Sequence, residues 1–342
     1  MNSIRKKYLL VGIVLFVLFM TGCGVTQFTD KNDVQVMLPI ASGVYGEGGN
    51  WDFLVYPMAW LMFNISKLVG HNYAITILIA TILVRSIAWP IYGKTNDMQL
   101  KMSLLGPEQR KIEEKYEGKT DQESLQRKNM EVMQLYKKYK VSFSGCFMPF
   151  IQMPIFLAFY ETLRRIPHTS KSYIESFVGG ATFTSGENVI TVTSNQLLYD
   201  ADTLNTNALG LDLLKTASEG EGWQKIGVYV LAALVALTQI GTQLLSQRRS
   251  KLQREKMESN VPEYRRKGPS DQQKQTEMMM KVMLWSMPIM MAVFIINNSA
   301  ALGWYWLVGN LYTALQSFIS AKTGEKKLAK LREKFNTQNK YY

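Results

Sequence analysis

Few side chains in this 342-residue sequence are of a type that does covalent or metal chemistry. Its two cysteines, Cys23 and Cys146, cannot build a disulfide framework or a four-thiolate metal site. Its two histidines, His71 and His168, leave little for metal binding or acid–base work. The patterns GxxxxGK(S/T), GxGxxG and HExxH are absent, so an ATP-driven pump, a dinucleotide enzyme and a zinc protease all lack their residues. No catalytic residue, metal or cofactor is expected. What stands out instead is one charge in an apolar run. Arg85 lies in ITILIATILVRSIAWPIY, twelve residues after Tyr73 and five before Pro90. At helical rise it sits roughly 10 Å from the end of the run near Tyr92. An arginine in hydrocarbon costs on the order of 3 kcal/mol, so it faces a protein interior or a water-filled cavity, or it snorkels to headgroups on its long stem. Polar residues able to line such a cavity occur in other apolar runs: Thr81, Gln152, Thr238, Gln239, Thr242, Gln243 and Gln316. Alone, each reads equally well as a helix-to-helix hydrogen-bond partner.

The elements that must hold Arg85 are membrane spans. A mean hydropathy of -0.07 describes a soluble basic protein only as an average, because the apolar residues come in blocks. Arg5, Lys6 and Lys7 precede the apolar stretch Tyr8 to Met20, a secretory signal pattern at residues 1–22. It ends in Met20, Thr21, Gly22 and Cys23, similar to a bacterial lipobox, so Cys23 is the expected lipidation (palmitate-type) site; an uncleaved anchor is the alternative. Either way the chain from residue 24 lies outside. Five later segments qualify as transmembrane helices: 73–92, 146–163, 226–245, 282–296 and 302–319. Between them lie an outer N-terminal segment 23–72, a cytoplasmic helical hairpin 93–145, an extracellular loop 164–225, a cytoplasmic loop 246–281 and a basic cytoplasmic tail 320–342.

Charge sorts this topology. The cytoplasmic pieces 93–145, 246–281 and 320–342 hold 11, 10 and 7 Lys+Arg, whereas the outer pieces 24–72 and 164–224 hold 2 and 4. Arg164 and Arg165 run against the rule and are outvoted. The formal net charge of +12 is therefore mainly a topology signal. Trp51 to Val69 competes for a sixth crossing, but counting it would send the hairpin and its basic residues outside. Asp52, Pro57, Asn64 and Lys67 interrupt it, and an amphipathic helix on the outer interface fits better. The fourth span, 15 residues between Lys281 and Asn297, reaches only about 22 Å; it either thins the bilayer or is extended by its flanks. Within 93–145, Met98, Met102, Leu105, Ile112 and Tyr116 keep helical spacing, Gly118 breaks it, and Leu125, Val132, Leu135 and Tyr139 resume it. Its exposed methionines offer an adaptable docking surface, beside the plainer reading of a solvated face.

Three ordered blocks carry a family resemblance: ITILIATILVRSIAWPIY; LYKKYKVSF with GCFMPFIQMPIFLAFYETLRR; and MPIMMAVFIINNSAALGWYWLVGNLYTALQ. Together they resemble the YidC/Oxa family of membrane protein insertases, over roughly residues 50–165 and 225–320, and the lipoprotein-type start resembles its Gram-positive branch. The resemblance implies an all-α polytopic membrane protein with five transmembrane helices around a hydrophilic, cytoplasm-facing groove holding Arg85. It also implies that Thr81 and Trp306 contact the nascent span. The expected groove set is thus Arg85, Thr81, Gln152, Gln239, Gln243 and Trp306. The implied function is insertion and folding of integral membrane proteins, alone or with the Sec translocon (SecYEG). The implied partners are nascent membrane proteins and, through the basic segments, anionic lipids or the ribosome. A secondary transporter or channel for an anionic solute is the rival reading, against which stands the lack of an inverted repeat and of paired acidic residues. The segment Arg164 to Gln224 is longer than the family's, and its run TFTSGENVITVTSNQ is expected to form a small hairpin or stay mobile.

Overall fold

The structure, a computed structural model, describes residues 28–30, 35–47, 51–119, 121–138, 148–185, 188–258 and 271–340. The signal segment 1–22 and the lipidation site Cys23 lie outside the described residues. Helices dominate: α1 (Asp52–Leu68), α2 (Tyr73–Lys115), α3 (Gln122–Lys138), α4 (Met148–Arg165), the short α5 (Lys171–Glu175), α6 (Trp223–Glu258), α7 (Asp271–Ile296) and α8 (Ala300–Lys340). Among the described residues, Tyr73–Pro90 and Trp223–Arg248 are long and apolar enough to cross a membrane, and Trp285–Ile296 is a shorter apolar helix.

An all-α chain is not what folds. Strands β1 (Phe28–Thr29), β2 (Gln35–Val36), β3 (Ala181–Ser185) and β4 (Asn188–Val192) form an antiparallel sheet in the order β2-β1-β3-β4. The Thr/Ser-rich run makes the expected hairpin, with Phe183 opposite Ile190. Its partner strands come from before α1, with Thr29 opposite Thr184. The reason is burial. Phe183, Ala181 and Val192 point to one face, where Phe28, Val36, Leu38 and Ile174 close an apolar cluster. Gly180 enters β3 at φ +100°, and a Cβ there would stand 2.6 Å from the Val192 carbonyl oxygen, so the position needs glycine. A second hairpin, β5 (Asn207–Ala208) with β6 (Leu211–Asp212), turns through Leu209 and Gly210 at φ 55° and 82°. Positive φ at both central residues matches the right-handed twist of the strands.

The described residues divide into two compact units. The first lies within Met1–Ala80, Ile151–Tyr229 and Ile295–Tyr305, the second within Thr81–Phe150, Val230–Phe294 and Trp306–Tyr342. In the first unit, the loop between α4 and α6 caps helix starts. The Asn205 carbonyl accepts from Tyr73 N (2.9 Å) and Asn72 Oδ1 from Ile75 N (3.0 Å), closing the start of α2. The Lys215 and Leu213 carbonyls accept from Ala300 N (3.0 Å) and Ala301 N (2.8 Å), closing the start of α8. First-turn N–H groups have no intrahelical partner, so these carbonyls satisfy groups that would otherwise be stranded.

The same unit shows what surrounds Arg165, the last residue of α4. Arg165 is 1% exposed and Asp52 3%. Arg165 Nη1 donates to Asp52 Oδ1 (2.5 Å), Nε to the Leu38 carbonyl (2.7 Å) and Nη2 to the Pro39 carbonyl (3.1 Å). Asp52 Oδ2 accepts in turn from Gly46 N (2.8 Å). The pair pins the chain before α1 onto α1 and α4. Beside it Tyr56 donates to the Ala41 carbonyl, and burial pushes its hydroxyl up to about 12 despite the opposing pull of Arg165.

In the second unit, the end of α2 and α3 form a helical hairpin, turning at Gly118 with φ 77°. Leu105 and Leu135 are its buried contact, with Ile112 and Tyr136 against them. Glu131 accepts from Lys115 Nζ (2.6 Å) and Tyr116 OH (2.8 Å), which holds its carboxyl below the usual range. Leu125, Met130 and Met133 are exposed.

Candidate functional site

The helices of the second unit carry large apolar side chains outward and bury two polar ones, Thr81 and Gln316, among apolar neighbours. On α2, Ile82, Leu83 and Ile87 are exposed while Thr81 is fully buried. On α8, Leu311, Leu315 and Phe318 are exposed while Gln316 is 8% exposed. On α6, Leu234, Leu237 and Leu244 are exposed, and on α7 Ile289, Met290 and Val293. Apolar side chains outward and polar ones inward is the arrangement hydrocarbon selects, because outside a bilayer such an apolar area would be a liability.

Arg85 lies one helical turn after Thr81, on the same side of α2. Its side chain is half-buried and rests against α8. Nη1 donates to Thr313 Oγ1 (2.9 Å), and Thr313 Oγ1 donates to the Gly309 carbonyl (2.9 Å). Among the described residues no carboxylate lies within ion-pair distance of Arg85, and its buried Nε–H has no acceptor. A cation with an unspent donor in a partly buried place favours water or an incoming acceptor. Next to it Ser86 Oγ and Tyr312 OH are hydrogen-bonded (3.0 Å), and the Tyr312 ring meets Trp89 edge-on at 5.9 Å.

The other expected groove residues divide. Trp306 is half-buried on α8, one turn before Gly309 and Asn310, with its ring 5.6 Å from that of Phe294. Gln239 and Gln243 are half-buried on α6 at a spacing of one turn, and Gln243 Nε2 is a second buried donor without an acceptor among the described residues. Neither glutamine is hydrogen-bonded to Arg85 among the described residues. The backbone at Gln152 is helical; its side chain lies outside the described residues.

Of the residues that hold the site together, Thr238 was named from the sequence and the others were missed. Asn310 Nδ2 donates to the Val235 carbonyl (3.2 Å) and to Thr238 Oγ1 (3.1 Å), tying α8 to α6. Gly309, Tyr312 and Thr313 tie α8 to α2. Small or hydroxyl residues four apart, as in Gly309 and Thr313, are a sign of close helix approach in membranes and were the available signal.

Residues 64–327 match the family described as 60Kd inner membrane protein. The chain is 29% identical over 316 residues to membrane protein insertase YidC 2 of Bacillus anthracis, covering 92% of this chain and 93% of that protein. It is 31% identical over 271 residues to membrane protein insertase MisCA of Bacillus subtilis, covering 79% and 78%. It is 25% identical over 322 residues to membrane protein insertase YidC of Oceanobacillus iheyensis, covering 93% and 97%. The chain, with its outward apolar faces and its arginine held on α8, belongs to the YidC/Oxa family of membrane protein insertases.

Proposed function

We propose that this protein inserts integral membrane proteins into the bacterial plasma membrane and helps them fold, without making or breaking covalent bonds. The observation that carries the reading is Arg85: a half-buried cation on an apolar helix, held by a hydroxyl, with a donor that has no acceptor among the described residues. In this reading five helices cross the bilayer, with the N-terminal segment outside, lipidated at Cys23, and the C-terminal tail inside. A substrate docks on the α2–α3 hairpin, where Met130, Met133 and Leu125 present apolar surface. Its polar tail then meets Arg85, whose charge lowers the desolvation cost of acidic residues in the tail. Thr81, Gln239, Gln243 and Trp306 line the path, with Gln152 a candidate from sequence. Transfer of the substrate's apolar span to lipid drives the process at ~0.8 kcal/mol per buried CH₂, so no nucleotide motif is needed. The basic loop and tail bind anionic lipid headgroups, and the Sec translocon and the ribosome are further partners.

The test is site-specific photocrosslinking. A probe at position 81 or 306 should capture the apolar span of a ribosome-stalled membrane protein, and a probe at the outward-facing Ile87 should capture it far less. Equal labelling from all three positions would contradict the reading.

A further inference from the structure

We propose that Gly309 and Thr313 are positioning residues that fix the Arg85 guanidinium on α8; the inference rests on the reading of Arg85 given above. The geometry is specific at both positions. A Cβ added at Gly309 would stand 2.6 Å from Arg85 Nη2, 3.1 Å from Cζ and 3.3 Å from Nε. The guanidinium therefore occupies the space that any larger residue would fill. Thr313 Oγ1 gives its hydrogen to the Gly309 carbonyl, which leaves its lone pairs to accept from Nη1. That orientation of the hydroxyl is fixed by the helix itself and suits a cation, not another acceptor.

The consequence is directional. A guanidinium is a planar fork of five N–H donors, and part of that fork is spent on α8. The buried Nε–H has no acceptor among the described residues but lies against α8, 3.3 Å from where a Cβ at Gly309 would stand, so the part left for an incoming acceptor is the Nη end of the fork. A lysine, or an arginine free to swing, would supply charge without this fixed edge. The positioned edge fits a planar acceptor, the carboxylate of an Asp or Glu in a translocated tail, better than it fits a neutral amide. Gly309 and Thr313 thus act through Arg85 on the preference for acidic tails.

The experiment uses the full-length protein in vesicles of phosphatidylethanolamine and phosphatidylglycerol, with Gly309→Ala, Thr313→Val, Thr313→Ser and Arg85→Ala. Phenylglyoxal modification at Arg85, followed by mass spectrometry, reports where the guanidinium is without reference to activity. Insertion of a substrate with an acidic tail, divided by that of its Asn/Gln-tailed twin, reports the preference. Gly309→Ala and Thr313→Val should change the modification rate at least threefold and lower the insertion ratio about fivefold, and Thr313→Ser should restore both. Modification rates unchanged in Gly309→Ala and Thr313→Val would overturn the positioning role, whatever insertion does. A changed rate with an unchanged ratio would overturn the role in tail preference. An unchanged ratio in Arg85→Ala would instead remove the substrate role of Arg85, while the modification rates still decide positioning.

Discussion

Replacing Asp52 by alanine is expected to release the chain before α1 from the first unit. The Arg165 guanidinium is 1% exposed, and Asp52 is its counter-charge at 2.5 Å. Removing one partner of a buried pair leaves an uncompensated charge and costs about 3–5 kcal/mol. The Leu38 and Pro39 carbonyls still accept from Nε and Nη2, which places the expected cost at the lower end. About 3 kcal/mol is roughly a hundredfold in the equilibrium for local opening. Native-state proteolysis of full-length protein in outward-facing vesicles reads that equilibrium when reclosing outpaces cleavage. Cutting between residues 35 and 47 should accelerate roughly a hundredfold in Asp52→Ala. The double variant Asp52→Ala, Arg165→Leu should be cut more slowly than Asp52→Ala alone, because the stranded charge is gone. A cleavage rate in Asp52→Ala within threefold of the unaltered protein would refute the reasoning.

Three further outcomes follow from the same structure. Burial holds the His168 imidazole below its ordinary value, and the neighbouring Arg164 charge adds to this. Folding therefore favours the neutral ring, so its contribution is complete above the ordinary value near 6.5 and is lost as pH falls toward the depressed one. Thermal unfolding in detergent should show His168→Gln to be less sensitive to pH than the parent between pH 7 and 5. Leu135→Ala should destabilise the α2–α3 hairpin by about 2–5 kcal/mol, since its contact with Leu105 is the hairpin's buried centre, and hydrogen exchange of Gln122–Lys138 should rise accordingly. Phe183→Ala removes a fully buried ring from beneath the sheet and should cost about 3–5 kcal/mol, seen as faster proteolysis of the β3–β4 hairpin.

How much of this was legible depended on how local its cause is. Helical spacing broken by Gly118 marked the two helices α2 and α3 and the turn between them, because spacing and a positive-φ glycine are both local. The β3–β4 hairpin was legible as one of two readings of TFTSGENVITVTSNQ, a small hairpin or a mobile segment, because both strands lie within one short stretch of chain. Strands β1 and β2 were not: each is two residues long, and Thr29 meets Thr184 across 155 positions, where no local pattern acts. The burial of Arg165 was not legible, because charge counting says nothing of surroundings and only tertiary structure brings Asp52 and two carbonyls around it. At the site, Arg85 stood out as a charge in an apolar run, which is costly unless something accommodates it. Gly309 and Thr313 stood out less, since glycine and threonine are ordinary in membrane helices and their meaning appears only once α8 lies against Arg85.

The most direct test of the account is insertion by reconstituted Arg85→Ala protein, measured on one substrate with an acidic translocated tail and on its neutral twin. The account predicts that insertion of the acidic tail falls at least tenfold, about 1.4 kcal/mol, while the neutral tail loses much less. Undiminished insertion of the acidic tail would contradict it.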